Sequence, residues 1–190
     1  TETPVNTESN NKTETAVNEN DSPIKKVDFK NFEYPMMKDS KDGKEEKLIL
    51  KDGKLEKTNK ANGATFGKVQ YADLTNDKKE EAIVNLESVG DDKTKTNMVY
   101  VYTIENDAPK LLWSFETKGG EGSGLKAISS EKGNLLVEVF GDAKFEKGVW
   151  NITEPKEKDK KQYTKTEFKW NGKEFAVEGK PEVLDIDSKT

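Results

Sequence analysis

The sequence predicts an all-β domain, mainly antiparallel, carried behind a disordered N-terminal tail. Three observations predict it. Short apolar runs recur at a spacing of about eight to twelve residues, divided by Gly, Asn and Asp. Dipeptides suited to tight hairpins stand between such runs, Asp52-Gly53 and Asn171-Gly172 among them. Helical periodicity, by contrast, is sparse. The pattern fits a sandwich, an open barrel or a partial-propeller-like meander. No fixed-period repeat supplies the blades of a full propeller.

The tail is expected over residues 1–26, TETPVNTESNNKTETAVNENDSPIKK. Its only aliphatic side chains are Val5, Ala16, Val17 and Ile24. Such a segment buries too little apolar surface to offset the entropy of ordering it. A single β domain is expected over residues 27–184, with a short C-terminal tail at 185–190.

Within the domain, VDFKNFEY (27–34) alternates apolar and polar and is expected to be a strand that Pro35 ends. Asp52-Gly53 is expected to turn a hairpin between Leu48–Leu50 and Leu55. TFGKVQYADL places Phe66, Val69 and Tyr71 on one strand. The next strand has Ala82, Val84 and Leu86 opposite Ile83. In NMVYVYTIEN, Met98, Tyr100, Tyr102 and Ile104 oppose Val99, Val101 and Thr103. Both faces are largely apolar, which predicts a central strand covered on both sides. Asn106 to Pro109 turn the chain into KLLWSFET, with Leu111, Trp113 and Phe115 on one face.

After the flexible KGGEGSG stretch, a hairpin through Lys132-Gly133 offers Leu125, Ala127, Leu135, Val137 and Val139 inward. A short strand is expected between Phe145 and Asn151. Asn171-Gly172 is expected to be a type I′ turn between Phe168 and Trp170 on one strand and Phe175 and Val177 on the next.

Composition narrows the chemistry. The chain has 190 residues, 31% hydrophobic and 36% charged, with a net charge of −5. It has no Cys, no His and no Arg, so all 32 basic residues are Lys. The usual zinc sites and the Ser-His-Asp and Cys-His arrangements cannot be assembled. Bidentate Arg clamps on phosphate or guanine are excluded too. The densest lysine run, KEKDKK at 156–161, is broken by acids and is expected to be a solvated loop. No nucleic-acid partner is expected from this charge pattern. GGEGSG lacks the Gly-Lys-Ser/Thr ending of a phosphate cradle and leads into a strand.

One segment carries candidate chemistry. In YADLTNDKKEEAIV (71–84) a strand runs into Asp73, Thr75, Asp77 and Glu81, then into a second strand. Oxygens at alternate positions of a tight loop can converge on one hard cation such as calcium. The segment resembles the calcium loops of FG-GAP and VCBS-type repeats, where Asp-x-Asx-x-Asp-Gly-x-x-Asp lies between strands. That resemblance implies Asp73, Thr75, Asp77 and Glu81 as side-chain ligands of Ca²⁺ and the Lys79 carbonyl as a fifth. The sequence departs from the pattern at Thr75, a hydroxyl, and at Lys78, where the family has Gly. The alternative is a hairpin loop whose Asp and Asn side chains bond their own backbone.

More widely, the order DFKNFEYP, YADLTNDKKEEAIV, PKLLWSFET, WNGKEF and GKPEVL resembles a group of uncharacterised exported bacterial proteins and lipoproteins. The resemblance covers most of residues 27–184. It implies an extracytoplasmic location and no mechanism. The polar Thr/Asn/Ser tail resembles that of mature bacterial lipoproteins, which are anchored through a lipidated N-terminal Cys; the alternatives are a signal-peptide product that is secreted and free, and a cytoplasmic protein with a disordered N-terminus. The first residue, Thr rather than Met, is read as the mark of a processed chain.

The expected function is a non-enzymatic extracytoplasmic binding or interaction domain with a protein or glycan partner. Membrane attachment would come only through an N-terminal lipid anchor. A structural subunit of an envelope assembly is the first alternative. A carboxylate-dependent glycan hydrolase is the second; it requires two acids about 5–10 Å apart in a cleft lined by Trp or Tyr. Trp113, Trp150 and Trp170 serve either as such a stacking platform or as packing between sheets.

Overall fold

The computed structural model describes residues 22–37, 47–56, 62–119, 123–146, 149–153 and 161–186. Thirteen strands lie among them, all paired antiparallel. β1 (Glu33–Pro35) pairs with β2 (Lys47–Ile49). β3 (Lys54–Leu55), β4 (Ala64–Ala72), β5 (Glu81–Val89), β6 (Lys95–Glu105) and β7 (Ala108–Gly119) form a five-stranded meander in chain order. β8 (Leu125–Glu131) and β9 (Asn134–Phe140) are followed by the hairpin of β10 (Asp142–Glu146) and β11 (Val149–Thr153). β12 (Gln162–Trp170) and β13 (Phe175–Asp185) then complete a four-stranded sheet in the order β13-β12-β9-β8. The fold is therefore all-β and antiparallel, and neither of the two larger sheets closes into a barrel.

Two cores explain the apolar pattern. Ile83, Val99, Val101 and Phe115 of the five-stranded sheet meet Ile128, Leu135, Val137, Val139, Phe168 and Phe175 of the four-stranded sheet. This is the interior of a sandwich. The opposite face of the five-stranded sheet carries Ala82, Val84, Leu86, Tyr100 and Tyr102, which pack against Ile24, Phe29, Tyr34, Leu48 and Leu50. β5 and β6 are thus buried on both sides, as the two-faced apolar pattern of NMVYVYTIEN requires. Each fully buried Val, Leu or Phe contributes about 1.5–3 kcal/mol.

Several expectations are corrected. Residues 22–26, read as tether, belong to the fold: Pro23–Lys26 form a 3-10 turn and Ile24 is 1% exposed. Residues 1–21 and 187–190 lie outside the described residues. The segment 27–34 is not a strand throughout. Asp28 accepts the N–H groups of Lys30 and Asn31 at 3.1 and 3.3 Å, turning the chain before β1. Asp52-Gly53 forms a type I′ turn, with φ of 50° and 77°, but its arms part: β2 joins β1 and β3 joins β4.

β-Bulges account for three changes of face. The irregularity at Gly67 lets Phe66, Val69 and Tyr71 share one face, paired with Leu86, Val84 and Ala82. Leu112 is the extra residue in β7, so Leu111 joins the outer core while Trp113 and Phe115 face the sandwich interior. A shift at Lys126 pairs Ala127 with Glu138 and puts Ile128 inward in its place. Asn171-Gly172 is not a type I′ turn. Only Gly172 has positive φ, and the Asn171 side chain accepts the N–H groups of Lys173 and Glu174 at 2.9 Å each.

Candidate functional site

The β4–β5 loop, residues 73–80, is organised from within. Asp73 accepts the N–H groups of Asp77 at 3.2 Å and Lys78 at 2.9 Å. Asp77 accepts the N–H of Lys79 at 2.9 Å. Asn76 and Lys78 adopt left-handed φ of 59° and 68°. The position where the FG-GAP pattern has Gly is therefore left-handed here as well, and Lys78 carries the steric cost.

Glu81 is the centre of the arrangement. It is 0% exposed and lies on the inner face at the start of β5. Its Oε2 accepts the N–H groups of Leu74 at 2.8 Å and Thr75 at 3.1 Å. Its Oε1 accepts the hydroxyls of Thr103, on β6, at 3.0 Å and of Thr75 at 3.4 Å. Burial raises its pKa; the bonds from Leu74, Thr103 and Thr75 pull it down, and the charge of Asp77 adds to the rise. Leu74, beside it, is 1% exposed and joins the inter-sheet core. One buried carboxylate thus ties the loop backbone to two strands.

The loop's side-chain oxygens already have protein partners. Glu81 spends its oxygens on four protein donors, and Thr75 directs its hydroxyl to Glu81. Asp73 and Asp77 bond the loop's own N–H groups, and Lys79 enters through its N–H. Among the described residues no group of three or more acidic side chains is placed to hold a metal ion. The structure brings Asp73, Thr75, Asp77, Lys79 and Glu81 into one loop, as a self-bonded turn.

This loop has neighbours. The turns at 106–107, 132–133 and 171–174 close β6–β7, β8–β9 and β12–β13 at the same end, as the pairs Tyr102↔Ala82 and Phe168↔Leu135 require. Gly133 runs so close to the Asp73 carbonyl that a Cβ there would stand 3.4 Å from it. Lys25 pairs with Glu80 at 2.8 Å from the N-terminal segment.

The tryptophans pack between the sheets. Trp113 lies 4.8 Å from Phe168 and 5.5 Å from Phe175, Trp150 lies 5.1 Å from Phe145, and Trp170 lies 5.1 Å from Phe175. They are packing residues rather than an open stacking platform. Two contributors escape sequence reasoning. Thr103 carries no signal beyond being polar in an apolar strand. Gln70 donates to the Ile128 carbonyl at 2.9 Å and links the two sheets. Glu81 carried a weak signal: it is the last of the charged run KKEE and directly opens the apolar run AIVNL.

No protein-family model, curated protein or solved structure matches the chain. The likeness to FG-GAP loops therefore stays that of one short segment. Among the described residues no helix is long and apolar enough to cross a membrane.

Proposed function

We propose that the protein is a non-enzymatic, extracytoplasmic binding domain that recognises a protein or glycan through the loop end of its sandwich. The observation that carries this reading is the Glu81 anchor. It fixes the 73–80 loop from inside through protein donors alone. Asp77, Lys78 and Lys79 are exposed there, beside the turns at 106–107, 132–133 and 171–174. A rigid polar surface binds with little loss of conformational entropy. The polar N-terminal composition and the likeness to exported proteins support the extracytoplasmic address, with lipid attachment as the proposed anchor.

The hydrolase alternative is weaker. Glu81 is the one described carboxylate with a raised pKa, and it is sealed from any substrate. The structural-subunit reading has one observation in its favour. β13 is exposed along most of its length, with Val177 at 37% and Val183 at 44%.

The test is differential capture from an envelope extract. Lys79→Glu and Lys173→Glu at the loop end should each abolish capture of a given partner. Lys93→Glu, at the opposite end, should leave it intact. Equal loss in all three, or loss only with Val177→Ser and Val183→Ser, contradicts recognition by the loop end.

A further inference from the structure

The layer between the two sheets changes character along its length. Towards the loop end it is aromatic: Trp113, Phe115, Phe145, Trp150 and Phe168 touch one another. Polar inward positions follow on both sheets, at successive levels: Asn85 is in line with Val99 and Phe115, and Thr117 is one level further with Asn97 and Glu87. Thr117 follows Phe115 on β7, and Asn97 stands opposite Thr117 on β6. Asn85 follows Ile83 on β5, opposite Val99. Thr166 precedes Phe168 on β12, opposite Val137. These four residues are 2%, 5%, 6% and 0% exposed, in that order.

Their hydrogen bonding is incomplete. Asn85 Nδ2 donates to Asn97 Oδ1 across 3.4 Å. Asn85 Oδ1, Thr117 Oγ1, Thr166 Oγ1 and Trp150 Nε1 have no hydrogen-bond partner among the described residues. The neighbouring Thr164 shows the contrast: its hydroxyl donates to the Gly141 carbonyl at 2.7 Å and accepts the Ala143 N–H at 2.8 Å. Trp150 connects the two sides. Its ring lies 6.1 Å from Phe115 and 6.0 Å from Phe168, the residues next to Thr117 and Thr166 on the same faces. Native interiors pair nearly all such groups, with protein or with ordered water.

We infer that this layer holds ordered internal water, bound by Asn85 and Thr117 from the five-stranded sheet, by Thr166 from the four-stranded sheet and by Trp150 from the β10–β11 hairpin. The chemistry selects the occupant. The set offers a carbonyl oxygen, two hydroxyls and one N–H that can only donate, so the occupant must both donate and accept. None of the four groups is charged, which argues against an ion. Glu87, the next inward position on β5, is partly exposed and paired with Lys95 at 2.9 Å. Globular interiors hold roughly one buried water per 27 residues, each making about three hydrogen bonds.

The experiment is a water NOE and ROE measurement on the ¹⁵N-labelled full chain. The Trp150 indole proton and the Asn85 side-chain amide protons should show cross-peaks at the water frequency, with the sign of long residence. Thr117→Val and Thr166→Val, measured singly, exclude relay through the hydroxyls: the Trp150 cross-peak should persist in at least one of them. Both variants should also melt several degrees lower, because the water loses a partner. Absence of the cross-peaks in the wild type, or cross-peaks only at another frequency, overturns the inference, as does a Trp150 cross-peak lost in both variants. A higher melting temperature in both variants marks dry, unpaired hydroxyls and overturns it too. The wild-type spectrum stands as a test even if a variant does not fold.

Discussion

Glu81 shows how one side chain can replace a ligand. A carboxylate at this position of a β-hairpin loop can help to hold a cation or can hold the loop itself. Here it is buried and accepts four donors, so the second role is taken. Glu81→Ala strands the N–H groups of Leu74 and Thr75 in the interior. The variant should lose about 3 kcal/mol in chemical denaturation. The pH dependence follows from the raised pKa of Glu81. The folded chain binds this proton more tightly than the unfolded chain does. The charged form therefore opposes stability above the folded pKa, and the penalty is relieved as pH falls through that value toward 4.5. Glu81→Gln removes this contribution. The stability of the variant relative to wild type, from denaturation midpoints, should therefore decline as pH drops from neutral. Lys78 offers the reverse gain. Its left-handed φ of 68° suits Gly, so Lys78→Gly should raise stability by about 0.5–1 kcal/mol.

At the scale of elements, period-2 alternation was legible wherever a strand ran without interruption. Ala82, Val84 and Leu86 face away from Ile83, and β6 is buried on both sides, as the alternation in those segments states. Alternation misled at bulges, because one extra residue inverts every later position. Leu112 and Lys126 have no composition that announces a bulge; only Gly67 does. The segment 27–34 misled for another reason. Phe29, Phe32 and Tyr34 alternate nearly like a strand, but the Asp28 side chain claims the local N–H groups and turns the chain. Those aromatics then cluster on Tyr100 and Tyr102, with Tyr34 5.0 Å from Tyr100 and Phe29 5.7 Å from Tyr102. The N-terminal segment is therefore a cover for the central sheet. Ile24→Ala should cost about 2–4 kcal/mol in thermal or denaturant unfolding. A loss below about 0.5 kcal/mol would return Ile24 to the tether.

At the scale of the molecule, a central five-stranded sheet is packed on both faces, and the four-stranded sheet leaves one face to water. The all-β class was readable because turn residues punctuate the sequence so regularly. The layer order was not, since it depends on pairings between distant strands, such as β9 with β12, which no local pattern encodes. The candidate loop was visible as a row of acids, but whether those acids face a cation or their own backbone is a matter of hydrogen bonds. Its self-bonded state underlies the proposed recognition surface. The direct test is the thermal melt of the full chain, wild type and Glu81→Ala, in excess EDTA and in millimolar Ca²⁺. The wild type should melt at the same temperature in both solutions, and Glu81→Ala should melt lower by the same margin in both. A calcium-dependent rise of several degrees in the wild type, abolished by Asp73→Ala, would contradict the account and make the loop a metal site.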